Sequence, residues 1–115
     1  MQDSIACHHI LIKHNKSRTP LDRVRNIPVT RTKDEAYNMI SEIRELVIKE
    51  KDSFKKYASK YSECASGLEE GNLGFFSKGD MNPEFEECAF NLKVGEISNI
   101  VSTDSGLHII LRVQW

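Results

Sequence analysis

Three apolar side chains and three glycines lie in the segment 71–85, with a spacing unlike the single stripe of a helix. They are Leu73, Met81 and Phe85, and the glycines lie at positions 71, 74 and 79. Glycine allows the tight turns and positive φ values that would bring these side chains together from different local elements. The spacing therefore predicts a shallow apolar pocket.

Two histidines follow each other at positions 8 and 9, and another stands at 108, in short β-like runs. Side chains alternate along a strand, so His8 and His9 are expected to point to opposite faces. They cannot then converge on one ion at bond lengths of about 2 Å, which argues against a metal site. The same alternation puts His108 on the face opposite Leu107 and Ile109. A buried His9 and a buried His108 would each need hydrogen-bond partners, whether or not they serve a site.

The three cysteines, at positions 7, 64 and 88, form no C-x-x-C pair. Their odd number and wide spacing argue against a disulfide framework and a thiolate zinc site, and predict free thiols in a reducing compartment. Cys64 stands in a polar turn near the mouth of the expected pocket, whereas Cys7 and Cys88 look like buried small residues. No neighbouring base clearly activates Cys64, so we expect a hydrogen-bonding or electrostatic role rather than covalent attack.

Residues 13–33 carry seven Lys or Arg against the single Asp22. The segment has a charge of +6, so the rest of the chain has −7 within an overall net charge of −1. A basic loop on an otherwise acidic domain favours one local anion, such as a phosphate on a partner, over a broad nucleic-acid surface. The alternative is a solvated charged loop without a ligand.

The elements that would position these residues can be read from periodicity. Residues 5–14 form a β-like run, and the polar segment 15–30 predicts a long loop. Thr32 with Glu35 is a capping-box signature, which predicts a helix over 32–50.

The rest of the chain predicts two further helices and three short strands. Asn82 and Pro83 have the residue types of an N-cap and a first helical residue. The helices are expected at 52–62 and 83–92, and the strands at 74–77, 97–101 and 107–113. Residues 1–115 would then form one α+β domain with a mostly antiparallel sheet.

Four segments, in this order, resemble the parvulin family of peptidyl-prolyl cis/trans isomerases. They are the first strand at 7–14, the cysteine segment at 61–66, the proline-pocket segment at 71–85 and the last strand at 103–110. The resemblance implies a β-α-α-α-β-α-β-β order, with a four-stranded sheet covered by helices. It also implies prolyl isomerase activity without a cofactor.

The resemblance further implies the site residues. The catalytic group would be His9, Cys64, Thr103, Ser105 and His108, and the proline pocket Leu73, Met81, Asn82 and Phe85. The two imidazoles would hydrogen-bond to each other and to the hydroxyls of Thr103 and Ser105. Asn82 stands where the family usually has glutamine. Such a site would favour the twisted amide, whose formation faces a barrier of roughly 20 kcal/mol, without breaking a bond.

Lys13 and Arg18 match two of three basic positions in the Pin-type branch, which prefers phosphoserine or phosphothreonine before the proline. Thr19 stands in place of the branch's second arginine. The loss of that bidentate contact costs on the order of 1.5–3 kcal/mol unless Arg23 or Arg25 replaces it. The resemblance therefore implies action on phospho-Ser/Thr-Pro segments of partner proteins. We also expect the chain to be a monomer.

Two other functions stay open. One is a parvulin for unphosphorylated X-Pro bonds, and the other is a non-catalytic proline-peptide-binding or chaperone module. Nucleic-acid binding is disfavoured. The chain shows neither a secretory signal nor the roughly 20 apolar residues that span a bilayer, which predicts the cytoplasm or nucleus and no membrane contact. With five residues before Ala6, it resembles a catalytic domain without the WW domain of many Pin-type proteins.

Overall fold

A four-stranded antiparallel sheet forms the centre of the computed structural model, which describes residues 4–114. In chain order, the elements are β1 (Ser4–Ile12), β2 (Leu21–Asp22), β3 (Ile27–Pro28), α1 (Lys33–Lys49), α2 (Phe54–Tyr61), β4 (Asn72–Ser77), α3 (Pro83–Asn91), β5 (Val101–Thr103) and β6 (Gly106–Gln114). The strand order is β4-β1-β6-β5, which confirms the α+β prediction. Residues 1–3 and Trp115 of the predicted domain lie outside the described residues.

The two central strands, β1 and β6, pair in a register that fixes which side chains share a face. His9 lies opposite Ile110, and Leu11 lies opposite His108. Directly opposed residues project from the same side of a sheet, so the two histidines are diagonal neighbours on one face. This register agrees with the alternation expected within each strand and with the histidine pair that the resemblance implies.

Each face of the sheet has its own hydrophobic cluster. α1 and α2 cover the face that carries Ile10, Ile12 and Ile109, where Phe54 is fully buried. α3 covers the face that carries Cys7 and Ile110, and it packs there through Phe85 and Ala89. The histidine face is thus the α3 face.

The start of α1 follows the predicted capping box. The Thr32 hydroxyl accepts a hydrogen bond from the Glu35 backbone N–H at 3.1 Å, and the Glu35 carboxylate accepts one from the Thr32 N–H at 2.8 Å. These bonds satisfy two donors that a helix N-terminus leaves unpaired. The helix begins at Lys33 as a result.

α3 begins at Pro83 as predicted, but the Asn82 side chain does not cap it. The Asn82 amide donates instead to Asp104 Oδ1 at 3.0 Å. The turn before the helix is held by Glu86, whose carboxylate accepts the backbone N–H groups of Gly79 and Met81.

Several predicted boundaries differ from the structure. The second helix is shorter at each end, and the turn at Ala65–Glu69 that takes the place of a third helix is a 3₁₀ helix. The predicted strand at 97–101 is split into an isolated bridge at Ile97 and the strand β5, which begins at Val101. Between them, the Ser98 hydroxyl accepts the Ile110 N–H at 2.9 Å and interrupts regular pairing.

The loop after β1 also contains a feature that its sequence does not signal, the two-residue pairing of β2 with β3. Among residues 4–114, no helix combines the length and the apolar character needed to cross a bilayer.

Candidate active site

The two site histidines lie side by side on the α3 face of the sheet. Their rings stack with centroids 5.3 Å apart and planes 19° apart, and the two Nδ1 atoms are separated by 3.1 Å. Thr103 Oγ1 lies 2.8 Å from His108 Nε2, and Ser66 Oγ lies 3.0 Å from His9 Nε2. The four side chains form one hydrogen-bonded chain along this face of the sheet.

Two neutral imidazoles satisfy this hydrogen-bond pattern when they are opposite tautomers. A single proton joins the two Nδ1 atoms, so one ring donates there and the other accepts. Burial, with a smaller contribution from His8, lowers the pKa of His9 to about 4. Burial and the neighbouring His9 lower the pKa of His108 well below its usual value. Both rings therefore stay uncharged at neutral pH.

One of the two predicted hydroxyl partners is corrected by the structure. Thr103 bonds His108 as predicted, but the hydroxyl at His9 belongs to Ser66 rather than to Ser105. Ser105 joins the network through its backbone N–H, which donates to Thr103 Oγ1 at 3.1 Å. Ser66 lies in the 3₁₀ turn after Cys64, a position that gave no sequence signal.

Gly71 brings this turn against β1. Its carbonyl accepts the His9 N–H at 2.9 Å, and its own N–H donates to the carbonyl of Ser66 at 2.8 Å. Its φ is +77°, and a Cβ at this position would lie 2.3 Å from the backbone oxygen of His9. Only glycine fits this close approach, which places Ser66 beside the imidazole.

An apolar pocket of about 190 Å³ opens above the imidazole pair. It is lined by His9, Leu11, Cys64, Leu73, Met81, Asn82, Phe85, Ser105 and His108. Every predicted catalytic and proline-pocket residue except Thr103 is in this set, and Thr103 stands behind His108. Leu11 is the member that sequence reasoning did not identify.

Phe85 serves both the pocket and the core beneath it. Its ring meets His9 and His108 edge to face, with centroid distances of 5.6 and 5.2 Å, and it is 3% exposed. Edge-to-face contacts of this kind hold aromatic groups in fixed relative orientation. The pocket floor is therefore preformed by core packing.

A second pocket of about 130 Å³ adjoins the first. We call it the basic pocket; it is lined by Leu11, Lys13, Arg18, Thr19, Arg23, Cys64 and Ser105. Three of these residues, Leu11, Cys64 and Ser105, also line the apolar pocket. The two pockets therefore share a wall.

Lys13 is anchored at its place in the basic pocket. Its ammonium group donates to the carbonyl oxygens of Thr19 at 2.9 Å and Leu21 at 2.7 Å. Burial, and then the charge of Arg23, lower the pKa of Lys13. An anion bound here would relieve that electrostatic cost, because an opposite charge favours the protonated amine.

The two arginines at 18 and 25 differ in their surroundings. Arg18 reaches the basic pocket; its side chain is 74% exposed and lies 3.9 Å from the carboxylate of Asp104. Arg25 points away, which corrects its place among the phosphate-binding candidates. Its guanidinium bonds Asp22 Oδ2 at 2.9 Å and also contacts the carbonyl of Lys60. It ties the loop to the end of α2.

The three cysteines have different environments. Cys64 lies in the wall that the two pockets share. Cys7 is fully buried, and burial raises the pKa of its thiol to about 12. Burial also raises the pKa of Cys88. Both of those thiols are protonated at neutral pH and lie outside the site.

Comparison with known proteins identifies the family. Residues 9–114 match the family described as Rotamase: PPIC-type PPIASE domain. The chain is 42% identical over 114 residues to the peptidyl-prolyl cis-trans isomerase Pin1 of Arabidopsis thaliana, covering 96% of each chain. It is 41% identical over 114 residues to the peptidyl-prolyl cis-trans isomerase NIMA-interacting 1 of Theileria annulata, covering 96% of this chain and 80% of that one.

Among solved structures, the peptidyl-prolyl isomerase ESS1 from Candida albicans superposes with a TM-score of 0.92 at 41% identity. The match covers 96% of this chain and 63% of the Candida chain, so this chain spans less than two thirds of that relative. The family match, the identities and the shared fold agree with the prediction from the four sequence motifs. The chain belongs to the PPIC-type, or parvulin, family of peptidyl-prolyl cis-trans isomerases.

Proposed function

We propose that this isomerase domain accelerates rotation about the peptide bond that joins phosphoserine or phosphothreonine to proline. The observation that carries the proposal is the wall shared by the apolar and basic pockets. Successive Cα atoms lie about 3.8 Å apart across a trans peptide bond and about 2.9 Å apart across a cis one. The residue that precedes a proline in the apolar pocket is therefore only one such step away, within reach of the adjoining basic pocket.

The composition of the basic pocket supports a phosphate over a single carboxylate. Lys13, Arg18 and Arg23 converge on it, and a phosphate carries about two negative charges and three strong acceptor oxygens. Thr19, which stands in place of the second arginine of the Pin-type branch, lines the same pocket, and Arg23 would supply the missing guanidinium there. Charge-assisted bonds from two guanidinium groups remain available to a phosphate.

The geometry supports a mechanism in which the peptide bond twists without covalent attack. The planar amide is stabilised by resonance, and its charge separation decreases as the bond twists. The pockets would hold the two residues on either side of the bond, while the bond itself lies over the shared wall. That wall and the neutral imidazoles carry no charge that would favour the planar form. Both imidazoles are bonded to each other and to hydroxyls, so neither acts as a base for Cys64.

The test is cis/trans exchange measured by NMR on two peptides that differ only in phosphorylation of the serine before proline. We expect fast exchange of the phosphopeptide and much slower exchange of the other. Equal acceleration of the two peptides would support the generic parvulin function instead. Binding without acceleration of either peptide would support the peptide-binding module.

A matched pair of variants separates the basic pocket from general charge. Arg23→Ala removes a pocket guanidinium, whereas Lys16→Ala removes one positive charge from an exposed position of the same loop. We expect Arg23→Ala to raise KM for the phosphopeptide and Lys16→Ala to leave it unchanged. Equal effects of the two substitutions would mean that the loop acts only by its net charge.

We also propose a reducing location, the cytoplasm or nucleus, and a monomeric state. The support for the location is that Cys7, Cys64 and Cys88 are all free thiols. Cell fractionation tests the location. Light scattering of the purified chain tests the monomer, and a concentration-dependent mass would contradict it.

A further inference from the structure

Glu63, the residue before Cys64, carries a buried carboxylate that is 3% exposed. Its Oε1 atom accepts the backbone N–H of Lys13 at 2.7 Å. The Arg31 guanidinium binds both carboxylate oxygens, with Nη1 2.7 Å from Oε1 and Nη2 3.1 Å from Oε2. A carboxylate buried to this extent is stable only when it is paired and hydrogen-bonded, and here it is both.

The backbone of Glu63 makes two further contacts with the basic pocket. Its N–H donates to the carbonyl of Leu11 at 2.8 Å, and its carbonyl accepts the N–H of Arg23 at 3.1 Å. Through its side chain it holds Lys13, and Cys64 follows it directly in the chain. Four residues of the basic pocket are therefore bonded to Glu63 or adjacent to it, although Glu63 itself does not line the pocket.

A carboxylate beside an anion site would repel the anion unless its charge were balanced. Arg31 balances it through the bidentate pair, and Arg31 Nη1 also donates to the carbonyl of Lys13 at 2.8 Å. The pair is neutral as a unit. Glu63 therefore does not neutralise the positive charges of Lys13, Arg18 and Arg23, which remain available to bind an anion.

From this geometry we propose that Glu63 is the positioning residue of the basic pocket, and that Arg31 is its charge partner. Glu63 acts through Lys13 and Arg23 and does not touch the substrate. This assignment rests on the proposed phosphate preference for its kinetic consequence. Its structural consequence, the fixed backbone of Lys13, is independent of that preference.

The kinetic test compares three variants on the phosphopeptide. Arg31→Met leaves a buried, unbalanced carboxylate next to the basic pocket, so KM is expected to rise roughly tenfold while kcat stays within about twofold. Adding Glu63→Gln removes that charge and keeps an oxygen for the Lys13 N–H. We expect the double variant to recover KM to within about threefold of the wild type. Glu63→Ala alone is expected to raise KM as well.

A stability control distinguishes positioning from general loss of folding. Ile43→Ala opens a cavity in the core cluster beneath α1, at a residue that lines neither pocket. It should lower the unfolding midpoint without changing KM. The proposal is overturned if the Arg31→Met/Glu63→Gln protein has the same KM as Arg31→Met alone. It is also overturned if Arg31→Met lowers kcat while KM stays constant.

Amide hydrogen exchange supplies a readout that does not depend on activity. The Lys13 N–H is bonded to a buried carboxylate, so it should exchange at least about tenfold faster in Glu63→Ala. The His9 N–H, bonded to the carbonyl of Gly71, should be unchanged. An unchanged Lys13 rate would overturn the assignment. If the wild type accelerated both peptides equally, the phosphate proposal would fail, while the Lys13 rate would still decide the role of Glu63.

Discussion

The imidazole pair has a consequence for the dependence of stability on pH. The unfolded chain binds protons at its histidines below about pH 6.5, whereas folded His9 resists protonation down to about pH 4. The unfolded state therefore binds more protons in this window, and stability falls as the pH is lowered through it. The loss from His9 is on the order of 3 kcal/mol.

Urea unfolding followed at several pH values measures this loss, and NMR signals of the imidazole C–H groups report protonation directly. We expect the His9 and His108 signals to stay constant between about pH 8 and pH 5, since both pKa values are lowered. A titration of either ring near pH 6.5 would contradict the assigned neutral pair.

The two hydroxyls that end the hydrogen-bonded chain are expected to differ in importance. Thr103→Val keeps the shape of the side chain but leaves His108 Nε2 buried without a partner, at a cost of about 1–3 kcal/mol in unfolding free energy. Ser66 is half-buried, so water can replace its hydroxyl in Ser66→Ala. The midpoint temperature of thermal unfolding and kcat on any proline peptide should both fall more for Thr103→Val than for Ser66→Ala. A larger loss for Ser66→Ala would contradict this ranking.

Strand alternation gives the face of each histidine within its own strand, but it does not pair His9 with His108, which the resemblance implied. It cannot find Ser66 or Glu63. Ser66 meets His9 across 57 positions of sequence, and Glu63 meets Lys13 across 50. Neither contact follows from a local pattern, since both depend on how the segment after α2 folds back on β1.

At the level of elements, the turn before β4 should tolerate substitution at one glycine and not at another. Gly71 and Gly74 both have positive φ, but a Cβ at Gly74 has nothing within 4 Å, whereas one at Gly71 meets the His9 backbone. Gly74→Ala should cost about 1 kcal/mol from strain alone, and Gly71→Ala several-fold more. Chemical unfolding of the two variants checks this, and comparable losses would mean that β4 moves easily.

The elements themselves were predictable where the signal was local. The capping box of Thr32 and Glu35 and the proline at 83 mark helix starts within a few residues, and the structure has both. The loop was not predictable in this way. Asp22 Oδ1 accepts the N–H groups of Val24 and Arg25, which forms a turn at this point of the loop. On this turn, Arg25 points to α2, whereas Arg23 lines the basic pocket. Nothing periodic in the loop distinguishes these two arginines.

For the whole molecule, the uneven charge distribution predicts how substrate recognition responds to salt. The segment 13–33 carries +6 and the remainder −7. The Debye length shrinks from about 30 Å at 0.01 M to about 3 Å at 1 M salt. We expect kcat/KM for the phosphopeptide to fall over this range and that for the unphosphorylated peptide to stay nearly constant. Parallel salt curves for the two peptides would show that the charge does not guide binding.

The position of Phe85 limits how this domain could change over evolution. The same ring closes the α3 cluster and forms the floor of the apolar pocket, so a substitution that reshapes the proline site also disturbs the core. Among the described residues, neither hydrophobic cluster includes a member of the segment 13–31. Exposed loop positions that line the basic pocket, such as Arg18 and Arg23, can therefore change at little cost in folding, whereas the shape of the apolar pocket stays coupled to the stability of the fold.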